Sequence, residues 1–192
     1  WPQKSGLILS GSDITLRNST LRFSAGPLVS IIGTRGVITN NVFADGNYLV
    51  TDAGAVSFGK TFDPGPGLVV STDHDFGFNR VYNTPGRGVA INALRNSTNN
   101  VNDIRARVHH NVIHDVLLRS YDSGAIDTVA TDGQYVRIDH NVIYNMRGPS
   151  KHGIYMDYSY KYVIDHNVVY EVNQPILLNW RAGWNGPSTP GS

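Results

Sequence analysis

Apolar and polar residues alternate at period two along most of this chain, in short runs that recur. The run Val108-His109-His110-Asn111-Val112-Ile113 returns as Ile138-Asp139-His140-Asn141-Val142-Ile143 and again as Ile164-Asp165-His166-Asn167-Val168-Val169. Weaker copies centre on Asn18, Asn41 and Asn79, so the six central asparagines are separated by 23, 38, 32, 30 and 26 residues. Period-two runs rich in Val, Ile and Tyr are strand chemistry, and almost no window offers the i, i+3, i+4, i+7 spacing of an amphipathic helix. Recurrence at intervals of this size marks a solenoid, in which one repeat cannot bury its apolar face alone. The pattern therefore predicts an all-β chain, a right-handed parallel β-helix of about six coils, with coils about 4.8 Å apart. An asparagine once per coil suits an internal ladder, because its amide carries donors and an acceptor for the coils on either side.

A second recurring phrase supports this. Gly54-Ala55-Val56-Ser57-Phe58, Gly88-Val89-Ala90-Ile91-Asn92, Gly124-Ala125-Ile126-Asp127-Thr128, Gly153-Ile154-Tyr155-Met156-Asp157 and Pro175-Ile176-Leu177-Leu178-Asn179 keep step with the asparagines. Each coil then has at least two strands, and surplus residues leave as loops, the longest being 60–75 and 94–105. Loops on a rigid solenoid flank its binding face. The β-helix domain is expected over residues 1–184, with a Gly/Pro/Ser tail at 185–192 that reads as linker. Neither end carries an evident polar cap, so the chain reads as a piece of a longer protein with further domains.

Composition narrows the partners. The 192 residues carry a net charge of +1 and only 16% charged side chains, which argues against nucleic acid and anionic membrane surfaces. No apolar run is long enough to span a membrane. Cysteine is absent, so no disulfide framework is present. Asn18 and Asn96 stand in Asn-Ser-Thr sequons that matter only on a eukaryotic secretory route.

From His109 to Glu171 the chain resembles the right-handed β-helix carbohydrate-active enzymes of the group around glycoside hydrolase family 141. The resemblance rests on Asp122-Ser123-Gly124-Ala125-Ile126-Asp127-Thr128, the Asp132-Gly133 turn, His140-Asn141-Val142-Ile143, Gly153-Ile154-Tyr155-Met156-Asp157 and His166-Asn167-Val168-Val169. It covers about a third of the chain. It implies a secreted, extracellular or periplasmic protein acting on a polysaccharide or oligosaccharide, with acidic residues on one face and Asp122 carried over from the family phrase. The chain departs from that pattern at Asp127, where the family has tyrosine, and in its short length.

Three aspartates are the candidate catalytic residues: Asp157, Asp127 and Asp122. Aligning Ile126 with Ile154 puts Asp127 level with Tyr155 on the outward side, and Asp157 one coil and two residues away. That offset is about 8 Å, inside the range of about 6.5–9.5 Å that an inverting glycosidase leaves for its water. Aligning Gly124 with Gly153 instead would turn Asp127 inward. Asp122 also reads as a turn former, since Asp52-Ala53-Gly54-Ala55 repeats its phrase in an earlier coil. Tyr155, Tyr158, Tyr121 and Trp180 are candidate sugar platforms, with sheet packing as the plainer reading. His152 is a candidate acid, base or sugar contact, and Arg119 a partner for a uronate carboxylate. His109, His110, His114, His140 and His166 follow the repeat and read as a stacked row, so no metal and no cofactor is expected.

The leading expectation is glycoside hydrolysis by paired aspartates. The alternatives are a uronate lyase or epimerase, which abstracts a proton beside a neutralised carboxylate, and a non-catalytic carbohydrate-binding or structural β-helix module. The fold alone does not choose among them.

Overall fold

The computed structural model describes residues 5–51, 53–59, 71–91, 105–129, 131–146 and 151–179. Among these every regular element is a strand, and every pairing is parallel. The first sheet holds β1 (Leu7–Ser12), β4 (Val29–Thr34), β7 (Val56–Phe58), β11 (Val89–Ile91), β14 (Ser123–Val129), β17 (Lys151–Asp157) and β20 (Gln174–Asn179) in that order, with β8 (Ser71–Thr72) beside the end of β4. The second holds β2 (Thr15–Arg17), β5 (Val37–Thr39), β9 (His74–Gly77), β12 (Ala106–His109), β15 (Asp132–Asp139) and β18 (Tyr160–Asp165). The third holds β3 (Thr20–Arg22), β6 (Val42–Ala44), β10 (Arg80–Tyr82), β13 (Val112–His114), β16 (Val142–Tyr144) and β19 (Val168–Tyr170). The chain visits the three sheets in rotation and climbs one coil per visit, as the repeat predicts.

Period-two alternation fills the interior. Stacked columns face inward from each sheet: Val29, Val56, Val89, Ile126 and Ile154; Ile38, Phe76, Val108 and Ile138; Phe43, Val81, Ile113 and Ile143. All are fully buried. Each coil thus contributes one apolar layer, and a layer is covered only when its neighbours are present.

The asparagine ladder runs at the corner between the second and third sheets. The Oδ1 atoms of Asn41, Asn79, Asn111, Asn141 and Asn167 each accept the backbone N–H of the residue one coil before, at 2.9–3.0 Å. Their Nδ2 atoms donate to the carbonyls of Leu16, Ile38, Phe76, Val108 and Ile138. The residue before each rung sits in the left-handed region, with φ of 55° at Asn40, 59° at Phe78, 52° at His110, 54° at His140 and 53° at His166. That conformation costs about 1–2 kcal/mol in a non-glycine residue, and the buried amide bonds offset it. Asn18 is corrected here. It occupies the left-handed column at φ 54°, and Ser19 takes the ladder place in the first coil.

Candidate functional site

Register on the first sheet assembles the site. Ile126 pairs with Ile154, Asp127 with Tyr155 and Val129 with Asp157, while Gly124 lies opposite His152. The alignment on Ile126 and Ile154 is therefore the one adopted, and Gly124 on Gly153 is excluded. Gly124 is needed for closeness, because a Cβ there would stand 2.8 Å from the Tyr155 Cβ.

Asp127 lies in the outward column, yet it borders no open groove. Ser30, Ser57, Ala90, Asp127 and Tyr155 form that column and are all buried. The Asp127 carboxylate is fully enclosed, 3.0 Å from the Arg87 Nε and accepting the Gly124 N–H at 2.8 Å. Burial pushes its pKa up to about 6, against the pull of Arg87 and of the Gly124 N–H. These contacts tie the start of β14 to the turn that carries Arg87, which is a structural task.

The sign of the resulting pH dependence follows. An unfolded aspartate titrates near about 3.9, so between roughly pH 4 and pH 6 the native state holds the Asp127 proton and the unfolded chain does not. This contribution is present below about pH 4 and is lost as pH rises through about 6. Asp127→Asn should remove that slope, which denaturant melts of both proteins from pH 4 to pH 7 will measure. An unchanged difference between the two across that range would contradict the assignment.

The more accessible part of the site is the pair Asp122 and Asp157, joined over the buried Tyr155. Its hydroxyl donates to Asp122 Oδ1 at 3.1 Å, and the Asn179 Nδ2 touches both Tyr155 Oη at 3.2 Å and Asp157 Oδ1 at 2.7 Å. Asp122 is exposed in a left-handed turn at φ 49°, and Asp157 is half-buried at the end of β17. Two carboxylates 35 residues apart in sequence are thus joined through one phenol and one amide. Burial raises the Asp157 pKa; the Asn179 amide opposes this and the Asp122 charge adds to it. Burial also lifts the Tyr155 phenol far above its ordinary value, so it remains a hydrogen-bond donor at any working pH.

His152 is buried beside Tyr155, with ring centroids 5.1 Å apart and no hydrogen-bond partner for its Nδ1. Burial lowers its pKa against the pull of Asp122 and favours the neutral imidazole. Burial likewise lowers the pKa of Lys151. Tyr158 is half-buried in the turn after Asp157, at φ 49°. Tyr121 is 71% exposed beside Asp122, and Arg119 is exposed with its backbone N–H on the Pro85 carbonyl. Trp180, Asp52, Asn96 and the tail at 185–192 lie outside the described residues. Sequence reasoning missed Arg87 and Asn179. Asn179 was reachable, because its phrase belongs to the second repeat and ends in register with Asp157; nothing in the sequence ties Arg87 to Asp127.

The family described as right handed beta helix region matches residues 1–183. The chain belongs to that family. No curated protein matches the sequence of this β-helix. A solved structure that it resembles is the Azotobacter vinelandii mannuronan C-5 epimerase AlgE4 A-module, with a TM-score of 0.61 and 14% identity over 91% of this chain. The β-helix matches 53% of that structure's length, and at this identity the likeness is one of fold.

Proposed function

We propose that this β-helix hydrolyses a glycosidic bond in an extracellular polysaccharide, with Asp157 as proton donor and Asp122 as the second carboxylate. The observation that carries the reading is the convergence of Asp122 and Asp157 on the Tyr155–Asn179 pair. Asp157, whose pKa burial raises, keeps its proton to higher pH and can deliver it to the leaving oxygen. Asp122, exposed and held by the phenol, is placed to attack the anomeric carbon or to take a proton from water. The product's anomeric configuration assigns that role: retention makes Asp122 the nucleophile, inversion the base. The resemblance of its phrase to glycoside hydrolase family 141 supports the same residue.

One observation favours a second reading. A neutral His152 with a bare buried nitrogen beside a protonated Tyr155 is also a base–acid pair for proton abstraction next to a uronate carboxylate. The name of the structural neighbour points the same way. A panel of neutral and uronate polysaccharides separates the readings. New reducing ends without unsaturation support hydrolysis, and unsaturated ends or a changed epimer ratio at constant chain length support the second. Binding without any product would leave a carbohydrate-binding module.

A further inference from the structure

The corner that carries the asparagine ladder also carries a cluster with no part in the proposed chemistry. His110, His140 and His166 stack outside the ladder with ring centroids 4.8 Å apart and planes within 2°. Each Nδ1 faces a fixed partner: His109 Nδ1 at 2.9 Å, Asp139 Oδ2 at 2.8 Å and Asp165 Oδ2 at 3.1 Å. One ligand atom from each of His110, Asp139 and His140 lies within 4.8 Å of the other two.

We infer that His110, Asp139 and His140 form a binding site for a borderline divalent transition metal such as Zn²⁺ or Ni²⁺. Two imidazoles with one carboxylate suit such ions, whereas Ca²⁺ and Mg²⁺ take sets of oxygens. Asp139 is fixed before any ion arrives. It is fully buried, and Arg107 grips both oxygens at 2.9 and 2.8 Å.

Coordination at about 2.1 Å places the ligand atoms of one ion about 3.4 Å apart, so the cluster must contract by about 1.4 Å at its widest. The outward rings can supply this, since His110 is exposed and the His140 side chain is 42% exposed, and histidine χ2 is a broad torsion. His140 Nδ1 already lies 2.8 Å from Asp139 Oδ2, so these two ligand atoms start close together. His109 stands beside them, its Nε2 2.6 Å from Asp75 Oδ1 and its Nδ1 2.9 Å from His110 Nδ1. Asp75, Asp139 and Asp165 favour a cation here, while Arg107 and Arg137 oppose it, so the site is one of modest affinity.

Isothermal titration of the EDTA-stripped protein tests this, with Zn²⁺ as ligand and Ca²⁺ as comparison. One Zn²⁺ per chain is expected, with no Ca²⁺ heat. His110→Asn and His140→Asn should each weaken Zn²⁺ by at least about tenfold, since even an outer partner is worth that much. Asparagine already occupies this left-handed column at Asn18 and Asn40, so both variants should keep the fold. His166→Asn should bind as the parent does. Absence of Zn²⁺ binding, binding that survives in the His110→Asn/His140→Asn double variant, or loss at His166→Asn alone would each overturn the assignment.

Discussion

Asp157→Asn is expected to lower turnover on a cleaved polysaccharide by about two to four orders of magnitude, the usual worth of a positioned acid. The amide preserves size and can still meet Asn179, so binding and melting temperature should change little. What it lacks is a proton to donate, which burial and the charge of Asp122 let the carboxyl keep to higher pH than an ordinary aspartate. Asp122→Asn should cause a loss of similar size, because each carboxylate performs a step that the other cannot. Asp127→Asn should leave turnover within a few-fold, since that side chain is enclosed and bound to Arg87. Initial rates of reducing-end release from the three variants, at matched fold content by circular dichroism, make the comparison. Full activity in Asp157→Asn would remove the proposed acid.

The largest stability effect is expected at the ladder. Asn111 accepts from the Asn79 N–H and donates to the Phe76 carbonyl and to Asn141 Oδ1, all in a fully buried corner. Asn111→Ala removes these bonds together and leaves several buried polar groups unpaired. Each stranded group costs about 1–3 kcal/mol, so a loss of about 4 kcal/mol or more is expected. For a domain of this size that corresponds to a fall of roughly 10 °C in melting temperature. Asn18→Gly should change stability by less than about 0.5 kcal/mol, because Asn18 is exposed and lies outside the ladder, and glycine accepts its φ of 54° without strain. A melt in which the two variants behave alike would contradict the placement of the rungs.

The fold was legible because its signal is periodic. Alternation at period two gave the strands, and the recurring asparagine gave the corner. The misplacement at Asn18 arose where the first coil has Ser19 in the ladder position, so the nearest asparagine drew the alignment one residue early. The site was legible only in part. Register between Ile126 and Ile154 follows from apolar matching and correctly set Asp127 level with Tyr155. Whether the outward column is open depends on turns that cross it, and Arg87 reaches Asp127 from such a turn. The convergence of Asp122 on Tyr155 depends on a left-handed turn that brings a loop carboxylate over the next coil's phenol, a contact without periodicity.

Pairing only between successive coils confines injury along the axis. A rung lost at Asn41 strands the Ser19 N–H and the Leu16 carbonyl and disturbs the coils of β2 and β5, which share no pairing with β14 or β17. A rung lost at Asn141 disturbs the coils that present Asp122 and Tyr155. Amide exchange in a damaged protein should therefore quicken over one or two adjacent coils and stay slow elsewhere, and catalysis should follow the distance of the damage from β17 more closely than its total energy. Sequence drift is then tolerated unevenly: coils remote from the phenol are free to vary within the limits of folding, while the two that carry the carboxylates answer to both folding and chemistry.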